Sequence, residues 1–198
     1  VHGGAENECK VKVRWISSEN INGGNVDEML EDLHGIVVAP GFGERGIPGK
    51  LITAQYAREK KIPFFGICLG LQCAVVEFAQ NVLKLEDAFS TEMKTDAKNP
   101  VIDIMEEQKH IKNMGGTMRL GAYLCKIKKG SLASKIYGKT EIEERHRHRY
   151  EFNNKYLEEF EKAGMIASGI NPESNLVEIM ELKDHPWFLG TQFHPELR

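Results

Sequence analysis

The first half of the chain alternates short apolar runs with stretches of helical period. Lys10 to Ser17 (KVKVRWIS) places apolar and polar residues in turn, which predicts a half-buried strand. Asn25 to Leu33 opens on a capping residue and carries Val26, Met29, Leu30 and Leu33 at helical spacing. Gly35 to Pro40 (GIVVAP) is a continuous apolar run, as expected of a central parallel strand buried on both faces. Residues 48 to 61 read as a helix with Pro near its first turn and Lys in its last. Pro63 to Cys68 (PFFGIC) is a second buried-type strand, and Leu69 to Leu83 a largely apolar helix. Repeated strand and helix predicts an α/β fold with a doubly wound, mostly parallel central sheet and flanking helices.

The second half is less regular. Lys84 to Pro100 reads as loop, Gly115 to Lys129 as one or two strands, and Asn154 to Ala163 as a short helix closed by Gly164. Leu176 to Leu182 and Trp187 to Phe193 read as strands that pair with each other, giving small antiparallel elements in this half. No Pro/Ser/Gly-rich linker divides the chain, so residues 1–198 are expected to form a single domain.

Composition narrows the function. With 198 residues and 41% hydrophobic content the chain can bury a sizeable core. A net charge of -3 argues against a dominant nucleic-acid or anionic-membrane role. The longest apolar runs are far too short to span a bilayer, and no basic start leads into an apolar run as in a secretory signal. Cys9, Cys68, Cys73 and Cys125 form no C-x-x-C pair, so a reducing, cytoplasmic setting is expected. The first residue is Val, as in a piece of a longer polypeptide.

Three segments carry candidate chemistry. In Gly66-Ile67-Cys68-Leu69-Gly70 a buried strand turns at once into an apolar helix. That is the nucleophile-elbow pattern with Cys in the Ser position. It sets Cys68 at a helix N-terminus, where the dipole favours thiolate, and turns the Leu69 N–H toward a developing oxyanion. By spacing alone, a buried small hydrophobe at Cys68 stays equally open. Phe193-His194-Pro195-Glu196 supplies a base and a group to orient it; two residues apart on an extended chain, His194 and Glu196 share a face. Pro40-Gly41-Phe42-Gly43 follows a buried strand, where the Gly41 N–H can act as a second oxyanion donor. A phosphate loop or plain turn is the other reading there, although neither Gly-rich phosphate motif fits. The run Arg145 to Arg149 leaves a phosphate patch open, and His146 with His148 a metal site, though no Cys pair supports a metal.

Together and in this order, the three segments resemble the class I, triad-type glutamine amidotransferase domain. Glu144-Arg145-His146-Arg147-His148-Arg149-Tyr150-Glu151, Gly116-Thr117-Met118-Arg119-Leu120-Gly121 and Ser90-Thr91-Glu92 resemble the glutaminase domains of the CTP synthase family in particular. The resemblance runs from about Val13 to Glu196. It implies a flavodoxin-like α/β fold and hydrolysis of L-glutamine to glutamate and ammonia through a cysteine thioester. It makes Cys68 the nucleophile, His194 the base and Glu196 its orienting partner, with oxyanion amides at Gly41 and Leu69. Gly41, Leu69, Gly70, Leu71, Gln72, Glu92 and Arg149 would line the glutamine site, Gln72 and Glu92 holding the α-amino and carboxylate end. The resemblance implies no cofactor and no metal in this domain. It assigns ATP, Mg²⁺ and UTP to a synthetase domain of the same polypeptide, absent from this chain, which uses the ammonia to make CTP. GTP is the expected allosteric activator, with Arg119 and Phe42 to Arg45 as parts of the response. A homotetramer is expected for the full-length enzyme and a monomer for this piece. Pro40 stands where many members have the first Gly of Pro-Gly-Gly-Phe-Gly, and proline offers no N–H. Another class I family, such as a γ-glutamyl hydrolase, or a dormant regulatory domain are the competing readings.

Overall fold

In the computed structural model, residues 2–104 and 118–197 are described. The helices are α1 (His2–Glu6), α2 (Val26–Leu30), α3 (Ile47–Lys60), α4 (Leu69–Asn81), α5 (Leu132–Tyr137) and α6 (Leu157–Lys162). The strands are β1 (Ile36–Val38), β2 (Phe64–Ile67), β3 (Ala88–Ser90), β4 (Asn99–Ile104), β5 (Arg119–Ile127), β6 (Glu141–His148), β7 (Tyr150–Phe152), β8 (Met165–Ile170), β9 (Val177–Leu182) and β10 (Phe188–Thr191). A seven-stranded sheet runs β1-β2-β10-β9-β8-β5-β6, and a small sheet runs β3-β4-β7. In the large sheet β1, β2 and β10 are parallel, and the strands from β9 to β6 continue it antiparallel.

Strand alternation gives the sheet two covered faces. Phe64 and Phe188 enter the larger core with residues of α3 and α4, and their rings stack at 4.3 Å, tying β2 to β10. Leu189 turns the other way with Ile179, Cys125 and Ala133 of α5. The α/β architecture with helices packed on the sheet agrees with the pattern of the sequence, as do α3, α4, β2, β9 and β10. So does α6, which is followed by Gly164 at φ +101°.

Several local expectations need correction. Lys10 to Ser17 forms no strand; Val11, Val13 and Trp15 face solvent, Trp15 at 91% exposure. Only Ile16 packs on the core, and Arg14 ties the segment down by donating to the carbonyls of Met29 and Glu31. Alternation is thus necessary for a strand but not sufficient without a neighbouring ladder. Among the described residues β1 pairs only with β2, and Val37 is 64% exposed, so β1 is an edge strand covered on one face rather than a central strand buried on both. The helix expected over Asn25 to Leu33 is a single turn; the Asn25 side chain accepts from the Asn22 N–H and donates to the Asn20 carbonyl, serving the preceding turn instead of capping. The loop expected over Lys84 to Pro100 holds β3 and the start of β4. Helix α5, unanticipated, has its signal in Ser131, which accepts the Ser134 N–H, and in Gly138 in the left-handed region. Gly115 to Thr117 lie outside the described residues.

Candidate active site

Cys68 joins β2 to α4 with φ 52° and ψ -103°, a conformation that L-residues rarely adopt. The flanking glycines make the turn possible. A Cβ on Gly66 would lie 2.6 Å from the Gly70 carbonyl carbon, and one on Gly70 would lie 2.2 Å from the Val38 carbonyl oxygen. The Cys68 N–H donates to Thr191 O at 2.7 Å, which locks the elbow to the end of β10. The Leu69 N–H faces the Cys68 sulfur.

The segment after β10 returns to this point. His194 is 8% exposed, and its N–H donates to Arg145 O of β6 at 2.8 Å. His194 Nδ1 lies 2.8 Å from Glu196 Oε1. The carboxylate can only accept, so Nδ1 carries the proton and Nε2 is left with a lone pair. Nε2 is buried without a hydrogen-bond partner. The pairing does not arise on an extended chain as expected. Residues Pro195–Leu197 form a 3-10 turn, which folds Glu196 back beside the ring.

Gly41, Cys68, Gln72, Glu92 and Arg149 line one narrow cavity of about 30 Å³, with Phe42, Met118, His148 and Tyr150. Residues from α4 and from the segments after β1, β3 and β6, far apart in sequence, thus line one cavity. Space for a water or two is less than an amino acid fills, so a ligand must widen the site. The Gly43 N–H donates to Glu92 Oε1 at 3.3 Å, closing the loop after β1 onto the acid. A Cβ on Gly41 would lie 3.2 Å from Leu69 Cδ2, so the two expected oxyanion positions are neighbours. Leu71, by contrast, sends its side chain into the large core, and Gly70 packs on the Val38 carbonyl.

Burial sets the electrostatics. It pushes the Cys68 thiol up to about 12, outweighing the Leu69 N–H, with Glu151, Glu92 and Glu196 adding to the rise. The thiolate expected from the helix N-terminus alone is therefore not the resting form.

Strand β6 presents Arg145 and Arg147 outward and His146 and His148 inward. Arg147 lies 5.9 Å from the ring centre of Phe42. Arg119, which the resemblance made part of the GTP response, is 6% exposed and donates to Glu151 (3.1 Å) and Glu178 (2.8 Å). His146 Nδ1 and His148 Nε2 lie 2.7 Å apart beside this cluster. Burial lowers His146 to about 3 and raises Glu151 to about 8. Both rings are therefore neutral next to the Arg119 charge. Among the described residues no group of three His, Cys, Asp or Glu is arranged to hold a metal ion. Sequence reading missed Gln192, whose amide nitrogen is 3.7 Å from Cys68 Sγ; its sole signal was its place two residues before His194.

A strained elbow with a buried thiol, tied to the end of the strand that leads into a His–Glu pair on an α/β sheet, has the parts of a thiol-based acyl-transfer scaffold. The sequence pattern of the class-I glutamine amidotransferases matches residues 1–198, and the chain belongs to that family. Its full length is 65% identical to a CTP synthase of Cytophaga hutchinsonii and 58% identical to one of Christiangramia forsetii. It spans 37% and 36% of those relatives' lengths. It also superposes on the glutaminase domain of Trypanosoma brucei CTPS with bound acivicin, with a TM-score of 0.91 and 38% identity, covering all of this chain and 77% of that one. Within the family the match is therefore to the CTP synthase glutaminase domain. No described helix is long and apolar enough to cross a membrane.

Proposed function

We propose that this chain is the glutaminase unit of a CTP synthase, a single domain that hydrolyses L-glutamine and delivers ammonia to a synthetase domain of the same polypeptide. The observation that carries the reading is the strained Cys68 elbow, closed onto Thr191 at the end of β10, three residues before the His194–Glu196 pair.

The chemistry follows from the geometry. His194 Nε2 takes the Cys68 proton, and Sγ attacks the side-chain amide carbon of glutamine. The amide N–H groups of Leu69 and Gly41 hold the oxyanion. Collapse breaks the C–N bond while His194 returns the proton to nitrogen, releasing ammonia and leaving a thioester. Water then attacks, gives a proton to His194, and the C–S bond breaks to yield glutamate and the free thiol. Glu196 keeps the imidazole in the Nδ1–H tautomer throughout. Glu92 accepts from the substrate ammonium, with Gln72 beside it, and Arg149, between β6 and β7, meets the carboxylate. Because the resting thiol sits near 12, nucleophile formation depends on His194 and on closure around substrate.

In the longer protein the ammonia would aminate UTP with ATP and Mg²⁺, and GTP would act as the activator, with Arg119 and the loop Phe42 to Arg45 as parts of the response. The homotetrameric state belongs to that longer protein. The relatives' name, CTP synthase, supports the amination of UTP as the use of the ammonia.

Intact-mass spectrometry with 6-diazo-5-oxo-L-norleucine, a glutamine-mimicking electrophile, tests the glutaminase reading. One adduct on Cys68, suppressed by L-glutamine, is expected. Absence of an adduct, or unprotected labelling of the other thiols, would favour a dormant domain.

A further inference from the structure

Gln192 sits just past β10 with no exposure to solvent. Its N–H donates to Glu178 O at 2.8 Å, so the backbone is fixed. An amide side chain buried this fully is costly unless both its ends are paired. Here they are paired, and the pairing has a direction.

Gln72 Nε2 lies 3.0 Å from Tyr150 O, a backbone carbonyl that can only accept. The nitrogen end of Gln72 therefore faces that way. The same nitrogen lies 3.3 Å from Gln192 Oε1 and supplies its second N–H there. That leaves Gln192 Nε2 turned to Cys68 Sγ, at 3.7 Å. Flipping Gln192 would set two NH₂ groups against each other and put a carbonyl oxygen on the sulfur, so the chain of donors reads one way. It starts at Tyr150 O, passes through two amides on α4 and after β10, and ends at the nucleophile.

We infer that Gln192 is a catalytic residue of this site, donating an N–H to the Cys68 sulfur as it becomes a thiolate, with its donor end aimed by Gln72. The inference rests on Cys68 being the nucleophile. The buried sulfur lies near the carboxyl groups of Glu92, Glu151 and Glu196, each of which opposes a negative charge there when ionised, with the Leu69 N–H as the favourable backbone contact. A neutral amide is suited to this place: it stabilises the anion without adding a cation that would hold the thiolate too tightly to attack. It also links Gln72 to the nucleophile, so that contact of the substrate with Gln72 bears on the donor at the sulfur.

The test measures the thiol without asking it to turn over glutamine. In a Cys9→Ser background, the second-order rate of iodoacetamide alkylation at Cys68 is followed by peptide mapping from pH 7 to 10. The parent is compared with Gln192→Met, which keeps bulk and removes the donor, and with Gln192→Glu, which replaces the donor by an acceptor. Hydrogen bonds to charged groups being the strong ones, Gln192→Met is expected to slow alkylation about tenfold across the range, and Gln192→Glu to slow it further. Equal rates in folded variants would overturn the inference. As a check that does not alter Gln192, the ¹⁵N–¹H side-chain resonances of Gln192 are compared between the parent and Cys68→Ala. They are expected to move when the acceptor is removed, and unmoved resonances overturn the inference even if the Gln192 variants fail to fold. A parent that alkylates as expected but never releases ammonia from glutamine would refute the glutaminase reading and leave this comparison standing.

Discussion

His194 and Glu196 meet at 2.8 Å because the chain enters a 3-10 turn at Pro195, and the imidazole nitrogen left over is buried without a partner. The ring is thereby held by one neighbour with its other nitrogen unpaired, as the proposed base requires. Cys68→Ala is expected to abolish ammonia release with the fold intact. His194→Ala should lower kcat more than Glu196→Gln, since one group moves the proton and the other holds the ring. Steady-state glutaminase assays give the ranking, and the reverse order would refute this division of roles.

The elbow depends on two missing methyl groups. Gly70→Ala drives a Cβ to 2.2 Å from the Val38 carbonyl oxygen, a backbone atom that cannot swing away. Overpacking of this kind costs about 1–3 kcal/mol or more, so calorimetry should find a clear drop in unfolding temperature together with loss of activity. Gly41→Ala meets only the side-chain ends of Leu69 (3.2 Å) and Lys50 (3.4 Å). Its unfolding temperature should stay close to that of the parent.

Thiol reactivity should follow burial. Cys9 is exposed, whereas burial pushes Cys68, Cys73 and Cys125 each up to about 12. At pH 8 a neutral alkylating reagent is expected to modify Cys9 first and the other three slowly. The glutamine-mimicking electrophile should instead select Cys68. Peptide mapping after brief exposure to each reagent distinguishes the two patterns.

The cluster of Arg119, Glu151 and Glu178 makes a statement about pH. Burial raises Glu151 to about 8 in the folded protein, above the ordinary carboxyl value of 4.5. The folded state thus holds a proton that the unfolded chain gives up, and the contribution of Glu151 falls as pH rises from about 4.5 to about 8. Glu151→Gln removes that dependence while keeping a carbonyl acceptor for Arg119. The stability of the parent relative to this variant, from urea midpoints, is expected to decline between pH 5 and pH 8. A constant difference would show that Glu151 is ionised throughout.

Arg119→Met should leave Glu151 and Glu178 buried without their cation. Removing one partner of such a pair costs about 3–5 kcal/mol. The double variant Arg119→Met with Glu178→Gln is expected to recover part of that loss, read from the same urea midpoints.

The legible parts of this protein are those whose physics is local. Gly66-Ile67-Cys68-Leu69-Gly70 announces its turn because only glycine fits on either side of a residue at φ 52°. Helix α4 follows from a long apolar run and α3 from Pro near its first turn and Lys in its last, whereas the His194–Glu196 contact depends on the 3-10 turn at Pro195 that the spacing does not announce. Lys10 to Ser17 misled because alternation records which residues can line a strand, whereas a strand exists only where a ladder partner lies. Gly35 to Pro40 misled for a related reason: its apolar run is the same at an edge as at a centre. The tertiary structure alone decided the inward face of β6, the burial of Arg119 between β7 and β9, the high pKa of Cys68 and the path from Tyr150 through Gln72 and Gln192 to its sulfur. Each of these joins groups dozens of residues apart, and desolvation and hydrogen-bond direction are properties of where such groups meet rather than of what they are.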